Sequence, residues 1–132
     1  MIEPIWVKES VVIAIHSRQL AEHGGIDGIR DKGLLESALF RPKNKFCYEN
    51  PSIFELAAAY GYGIVKNHPF MDGNKRTSYI VTRTFLKLNS YDIQASEMKK
   101  YDMWIALASN QINEDELSAW IEKKSVFTPD SC

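Results

Sequence analysis

The chain has 132 residues, 45% of them hydrophobic and 25% charged, with 16 Lys plus Arg against 17 Asp plus Glu. This length and mixture suit one folded domain, 1–132, and exclude a globally disordered chain. A net charge of −1 excludes a broad electrostatic pull on nucleic acid or an anionic membrane. The nearest approach to a membrane span, Leu56 to Val65, contains two glycines and falls well short of ~20 apolar residues. Met1-Ile2-Glu3-Pro4 lacks the basic-then-apolar layout of a secretory leader. Cys47 and Cys132 do not make a disulfide framework, which points to a reducing, cytoplasmic setting.

Helical periodicity dominates the chain. Val11, Val12, Ile15 and Leu20 predict an N-terminal helix ending at Gly24-Gly25. Asp31 is placed to cap a short helix through Leu34, Leu35 and Ala38, stopped before Pro42. Lys45-Phe46-Cys47-Tyr48 alternates briefly between two prolines, so Arg41 to Asn50 reads as an extended flap or short hairpin with basic residues at Arg41, Lys43 and Lys45. Ser52 and Glu55 form a capping box before the stripe Ile53, Leu56, Ala57, Tyr60, Gly61 and Ile64. A second core helix runs from about Asn74 to Leu88 on Thr77, Ile80, Val81, Thr84, Phe85 and Leu88. Met98, Tyr101, Ile105 and Ala108 predict a helix after Ser96, and Asn113 with Glu116 opens another on Leu117, Trp120 and Ile121. The expected architecture is all-α, a bundle of about six helices with one short extended flap. Tyr60, Tyr62, Trp104 and Trp120 read as core or half-core residues, and His16 and His23 as structural or surface groups.

Chemistry concentrates between the two most periodic helices, in His68-Pro69-Phe70-Met71-Asp72-Gly73-Asn74-Lys75-Arg76-Thr77, the motif loop 68–77. Pro69 disfavours helical geometry at His68 and ends the first helix there. The second helix starts near Gly73 or Asn74, and its free N–H groups and positive dipole end suit an anion. Gly73 allows close approach of a phosphate, and Asn74, Lys75 and Arg76 add donors and charge. Asp72 suits Mg²⁺, which usually binds through one or two carboxylates, phosphate oxygens and water. Imidazole as a group changes charge near neutral pH, which suits a general base, and His68 supplies one four residues before Asp72. Together these residues describe a phosphate-transfer site. Each also has a plain structural use: His68 as a helix-end residue, Asp72 as an N-cap, and Lys75 and Arg76 as a solvated helix face. A P-loop is excluded, since Gly-Lys-Ser/Thr and a preceding strand are both missing.

The segment resembles the signature of the Fic/Doc family, His-x-Phe-x-(Asp/Glu)-(Gly/Ala)-Asn-(Gly/Lys)-Arg, and His68, Phe70, Asp72, Gly73, Asn74, Lys75 and Arg76 meet every defined position. Gly25 to Asp31 followed by Gly33-Leu34-Leu35-Glu36-Ser37-Ala38 is similar to the N-terminal half of the Doc-type, or "death on curing", branch. Most Fic proteins carry Gly at the position of Lys75 and a second Arg at that of Tyr79. The resemblance to the Doc branch implies transfer of the γ-phosphate of ATP to a protein hydroxyl, whereas the Fic branch would transfer AMP. It further implies His68 as the base, Asp72 as the Mg²⁺ ligand, and Gly73, Asn74, Lys75 and Arg76 as the phosphate cradle, with Phe70 anchoring the loop. The flap would position the target segment, partly by adding a strand to it. The implied target is translation elongation factor Tu. No Ser/Thr-x-x-x-Glu-Gly/Asn inhibitory run is present, so a separate antitoxin is the expected partner, with no direct role for nucleic acid or membrane. A catalytically silent helical binding module is the reading from a different class. The sequence specifies no oligomeric state.

Overall fold

A computed structural model describes residues 2–129, so Met1 and Cys132 of the sequence reading lie outside the described residues. Six helices follow one another: α1 (Glu9–His23), α2 (Lys32–Tyr48), α3 (Ile53–Asn67), α4 (Asn74–Leu88), α5 (Glu97–Ala108) and α6 (Glu114–Lys124). Strands β1 (Tyr91–Ile93) and β2 (Ser125–Phe127) pair antiparallel, with Asp92 opposite Val126. The architecture is the expected all-α bundle. Among the described residues, no helix is long and apolar enough to cross a membrane.

The centre of the bundle is α3. Leu56 through Gly61, Gly63, Ile64 and Val65 are all buried, so the helix is enclosed on nearly every side. It packs on α2, α4 and α6. Its start is fixed by reciprocal bonds: Glu55 N–H donates to Ser52 Oγ (3.1 Å) and Ser52 N–H donates to Glu55 Oε1 (3.1 Å). The same box opens α6, through Asn113 and Glu116. Asp31 caps α2 by accepting from Leu34 N–H (2.9 Å), and Ser96 caps α5 by accepting from Lys99 N–H (3.2 Å). Before α1, Val7 N–H donates to the buried Tyr60 hydroxyl (3.0 Å), while burial pushes the pKa of that phenol up to about 12.

The buried face of α4 is rotated from the expected stripe. Thr77, Val81 and Phe85 are buried as expected, but Ser78, Thr82 and Leu86 complete the face while Leu88 is exposed. The Ser78 and Thr82 hydroxyls are satisfied within the core, whereas that of Thr77 has no hydrogen-bond partner among the described residues. Ser78 Oγ donates to Gly61 O (2.7 Å) and accepts from Trp104 Nε1–H (2.9 Å), and Thr82 Oγ1 donates to Ser78 O (2.8 Å).

Two segments depart from expectation. The extended flap at Arg41 to Asn50 is absent, because α2 continues to Tyr48 with the buried Pro42 inside it. Pro42 cannot donate to the Ala38 carbonyl. That oxygen instead lies against α3, where a side chain on Gly63 would come within 3.1 Å of it. Tertiary partners then hold the last turns. Arg41 forks onto Glu114 of α6 (2.5 and 3.3 Å) and covers the Tyr62 ring, Lys45 lies 3.8 Å from the same carboxylate, and Phe46 meets Trp6 edge-on. Two of the three basic residues assigned to a flap are therefore committed to α6. Helix α5 lies as expected but is turned: Met98, Tyr101 and Ile105 face solvent, while Lys100, Trp104 and Leu107 face the core. Trp104 decides the rotation. Its indole reaches Ser78 and its ring meets Tyr79 and Trp120, a larger buried contact than Met98 or Tyr101 would supply.

The crossing at Gly63 predicts that Gly63→Val will destabilise the protein by about 1–3 kcal/mol in urea unfolding, because α2 and α3 must separate. A second expectation concerns Asp92, whose carboxylate accepts a two-pronged bond from Arg83 (2.8 and 3.1 Å) and is thereby held below its ordinary value of 3.8. A carboxylate with a lowered folded-state pKa adds stability above the unfolded value and loses it as the pH falls through the folded one. Asp92→Asn should therefore flatten the decline of stability with acid below pH 3.8, measured by denaturant midpoints across that range.

Candidate functional site

The turn between α3 and α4 begins at a strained residue. His68 has φ 51° and ψ 53°, a left-handed conformation costly for a side chain other than glycine, and its N–H donates to Ile64 O (3.1 Å). Pro69 follows and is buried, then Phe70, fully enclosed with its ring stacked on His16 at 3.8 Å between centroids. His68, Asp72, Lys75 and Arg76 remain exposed. Phe70 thus pins the middle of the turn while the polar residues on either side stay in water.

The main chain of Phe70 is satisfied by one side chain. Phe70 N–H donates to Asn74 Oδ1 (3.0 Å), and Asn74 Nδ2 donates to Phe70 O (3.0 Å). The Asn74 amide is committed at both ends, so only its backbone N–H is left for a ligand. His16, expected to be a structural or surface group, is structural. Its Nε2 donates to Asp72 O (2.8 Å), which places the ring proton on that nitrogen.

Helix α4 begins without a side-chain cap. Gly73 takes the N-cap position at φ 76°, and its own N–H donates to Asp72 Oδ1 (2.8 Å). The N–H groups of Asn74, Lys75 and Arg76 have no protein acceptor among the described residues. Three free donors at the positive end of a helix dipole, with two cationic side chains in the same turn, can hold a phosphate-like anion.

Sequence reasoning gave no site role to the loop after α1. It runs beside the motif as an irregular strand: Met71 N–H donates to Gly28 O (2.9 Å), Arg30 N–H (2.7 Å) and Asp31 N–H (3.1 Å) donate to Pro69 O, and Ile29 bridges Phe70. Ile26 N–H donates to Asp72 Oδ2 (3.2 Å). That bond, then the one from Gly73 N–H and the charge of Arg76, hold the Asp72 carboxyl below its ordinary value. Gly25 is required here. At φ 128° its Cβ would stand 2.8 Å from Asp72 Oδ2. The Arg30 side chain turns the other way, Nε donating to His68 O (2.7 Å) and a terminal nitrogen to Asn67 O (2.9 Å). The three glycines from Gly24 to Gly28 were the available signal that this loop approaches another backbone closely.

Asp72 fits a magnesium ion of the kind that relies on phosphate oxygens and water. The carboxylate is exposed, and two of its roughly four lone-pair positions accept backbone bonds, leaving the others open. Among the described residues no group of three His, Cys, Asp or Glu side chains forms a metal cage. A cavity of about 510 Å³ lies between the N-terminal segment and α2, lined by Trp6, Lys8, Glu36 and Phe40 among others, away from the motif residues. His68, Asp72, Lys75 and Arg76 lie on an open surface instead. Asn74→Ala should cost about 1–3 kcal/mol in thermal or denaturant unfolding, because it strands both backbone groups of the buried Phe70.

Comparison with known proteins agrees with this geometry. The model of the Fic/DOC family matches residues 6–86, which include the loop after α1, the motif and most of α4. The chain is 29% identical over 103 residues to "Protein kinase doc" of Escherichia phage P1, covering 77% of this chain and 81% of that protein. It is 36% identical over 74 residues to "Toxin Doc" of Mycolicibacterium smegmatis, covering 54% of this chain and 57% of that one. A matched segment longer than half the chain, containing the complete motif on the turn between two core helices, makes this protein a member of the Fic/DOC family.

Proposed function

We propose that the protein is a Doc-type toxin that transfers the γ-phosphate of ATP to a serine or threonine hydroxyl of a target protein. The observation that carries this reading is the α3–α4 turn, which offers an exposed imidazole, an exposed carboxylate and three free helix N–H groups within nine residues. The N–H groups of Asn74, Lys75 and Arg76, with the Lys75 and Arg76 side chains, hold the phosphates. His68 accepts the proton of the target hydroxyl as its oxygen bonds to the γ-phosphorus, and the bond from that phosphorus to the bridging oxygen breaks to release ADP. Asp72 would hold Mg²⁺, which supplies charge neutralisation at the phosphate oxygens. Elongation factor Tu is the proposed target, a separate antitoxin the proposed restraint, and the cytoplasm the proposed location.

The choice of γ-phosphate over AMP is supported by Lys75 and Tyr79. Tyr79 meets Trp104 edge-on at 5.1 Å and lies beneath the Lys100 ammonium, so a packed aromatic ring occupies the position where a Fic protein carries its second arginine. The kinase name of the phage P1 relative points the same way. AMP transfer is the second reading, favoured by the His68 to Arg76 core that both branches share.

Incubation with elongation factor Tu, Mg²⁺ and ATP labelled at the α or the γ phosphate separates the readings. Label arriving from the γ position alone is expected. Transfer from the α position would establish AMP transfer instead, and no label on this or other candidate proteins would favour a silent binding module. His68→Ala should reduce the labelling rate by about 10²–10⁴-fold.

A further inference from the structure

Three successive carbonyls cross the strained start of the motif turn, and all three point at one residue of another loop. Asn67 O and His68 O accept from the Arg30 guanidinium at 2.9 and 2.7 Å, and Pro69 O accepts from Arg30 N–H at 2.7 Å. The first two belong to the end of α3, where carbonyls lack helical partners and a cation opposes the negative dipole end. A guanidinium suits this task because its rigid fork serves two acceptors at once, which an ammonium cannot match.

We propose that Arg30 is a positioning residue, fixing the left-handed backbone at His68 and with it the direction of the imidazole. This rests on the reading of His68 as the general base. The side chain is separable from the fold. Bonds from the main chain of Arg30, Asp31 and Met71 dock the two loops without the guanidinium, and Arg30 itself is exposed. Removing the side chain therefore releases the His68 and Asn67 carbonyls to water rather than opening the core. Without the fork, His68 can relax toward ordinary backbone angles and carry its ring away from the reacting hydroxyl.

Arg30→Ala and Arg30→Lys test this in the full chain. In steady-state phosphate transfer, Arg30→Ala should lower kcat by about 10–100-fold, the scale of a displaced catalytic group, with KM for ATP changed by no more than about twofold. Arg30→Lys should recover little, whereas added guanidinium ion at non-denaturing concentration should restore part of the rate to Arg30→Ala. In NMR spectra, the His68 ring signals should shift or broaden in Arg30→Ala while those of the buried Tyr60 stay in place. An unchanged kcat, a rate loss fully accounted for by unfolding at the assay temperature, or unaltered His68 signals would overturn the proposal. Should the wild-type protein transfer no group at all, the proposed function fails, and the His68 signals still decide whether Arg30 sets that residue.

Discussion

One constraint organises this structure. The turn from α3 to α4 must bury Phe70 between residues that have to remain in water. Burying an aromatic ring in a tight turn also buries its peptide groups, and an unsatisfied peptide group would cancel much of what the ring contributes. Asn74 resolves the conflict by bonding both the N–H and the carbonyl of Phe70. His16 covers the ring and takes the next free carbonyl, at Asp72. With those groups held, the backbone of His68, Asp72 and Gly73 is set by its neighbours rather than by its own preferences.

The rest of the bundle supplies two fixed walls for that turn. Helix α3 is enclosed by α2, α4 and α6, so its end cannot shift without disturbing the core. Helix α4 is keyed to α3 by Ser78 on the Gly61 carbonyl and to β1 by the Arg83–Asp92 fork. The loop after α1 adds a third contact through main-chain bonds, while Arg30 and Gly25 touch the two ends of the motif. A rigid frame around a short irregular segment is how small proteins hold reactive groups that no regular element would present.

Helix positions and caps were readable because they depend on local chemistry. Ser52 with Glu55, Asn113 with Glu116, Asp31 and Ser96 act within one turn, and each caps a helix as its spacing implies. The motif was readable for the same reason. What the sequence did not reveal depends on partners distant along the chain. Pro42 stays helical because Gly63 leaves room beside the carbonyl it cannot bond, and because Arg41 finds Glu114. The inward face of α5 follows Trp104 and its hydroxyl partner on α4, against an apolar stripe that points to solvent. Periodicity identifies a helix more reliably than the direction it faces when polar groups can pair in the core. The loop beside the motif was seen only as a family resemblance, since glycines announce a close approach without saying to what.

The uncapped start of α4 carries a consequence for how this protein can change. A serine or aspartate at an N-cap commonly stabilises a helix by only a few tenths of a kcal/mol over glycine, through the same N–H groups that Gly73 leaves open. Here such a residue would also have to take up the left-handed backbone of Gly73, and its side chain would occupy the N–H groups that an incoming anion would need. Stability and occupancy therefore compete for a single set of donors. A ligand at this position would do the work of a missing side chain, and its binding would complete a helix that the sequence leaves unfinished.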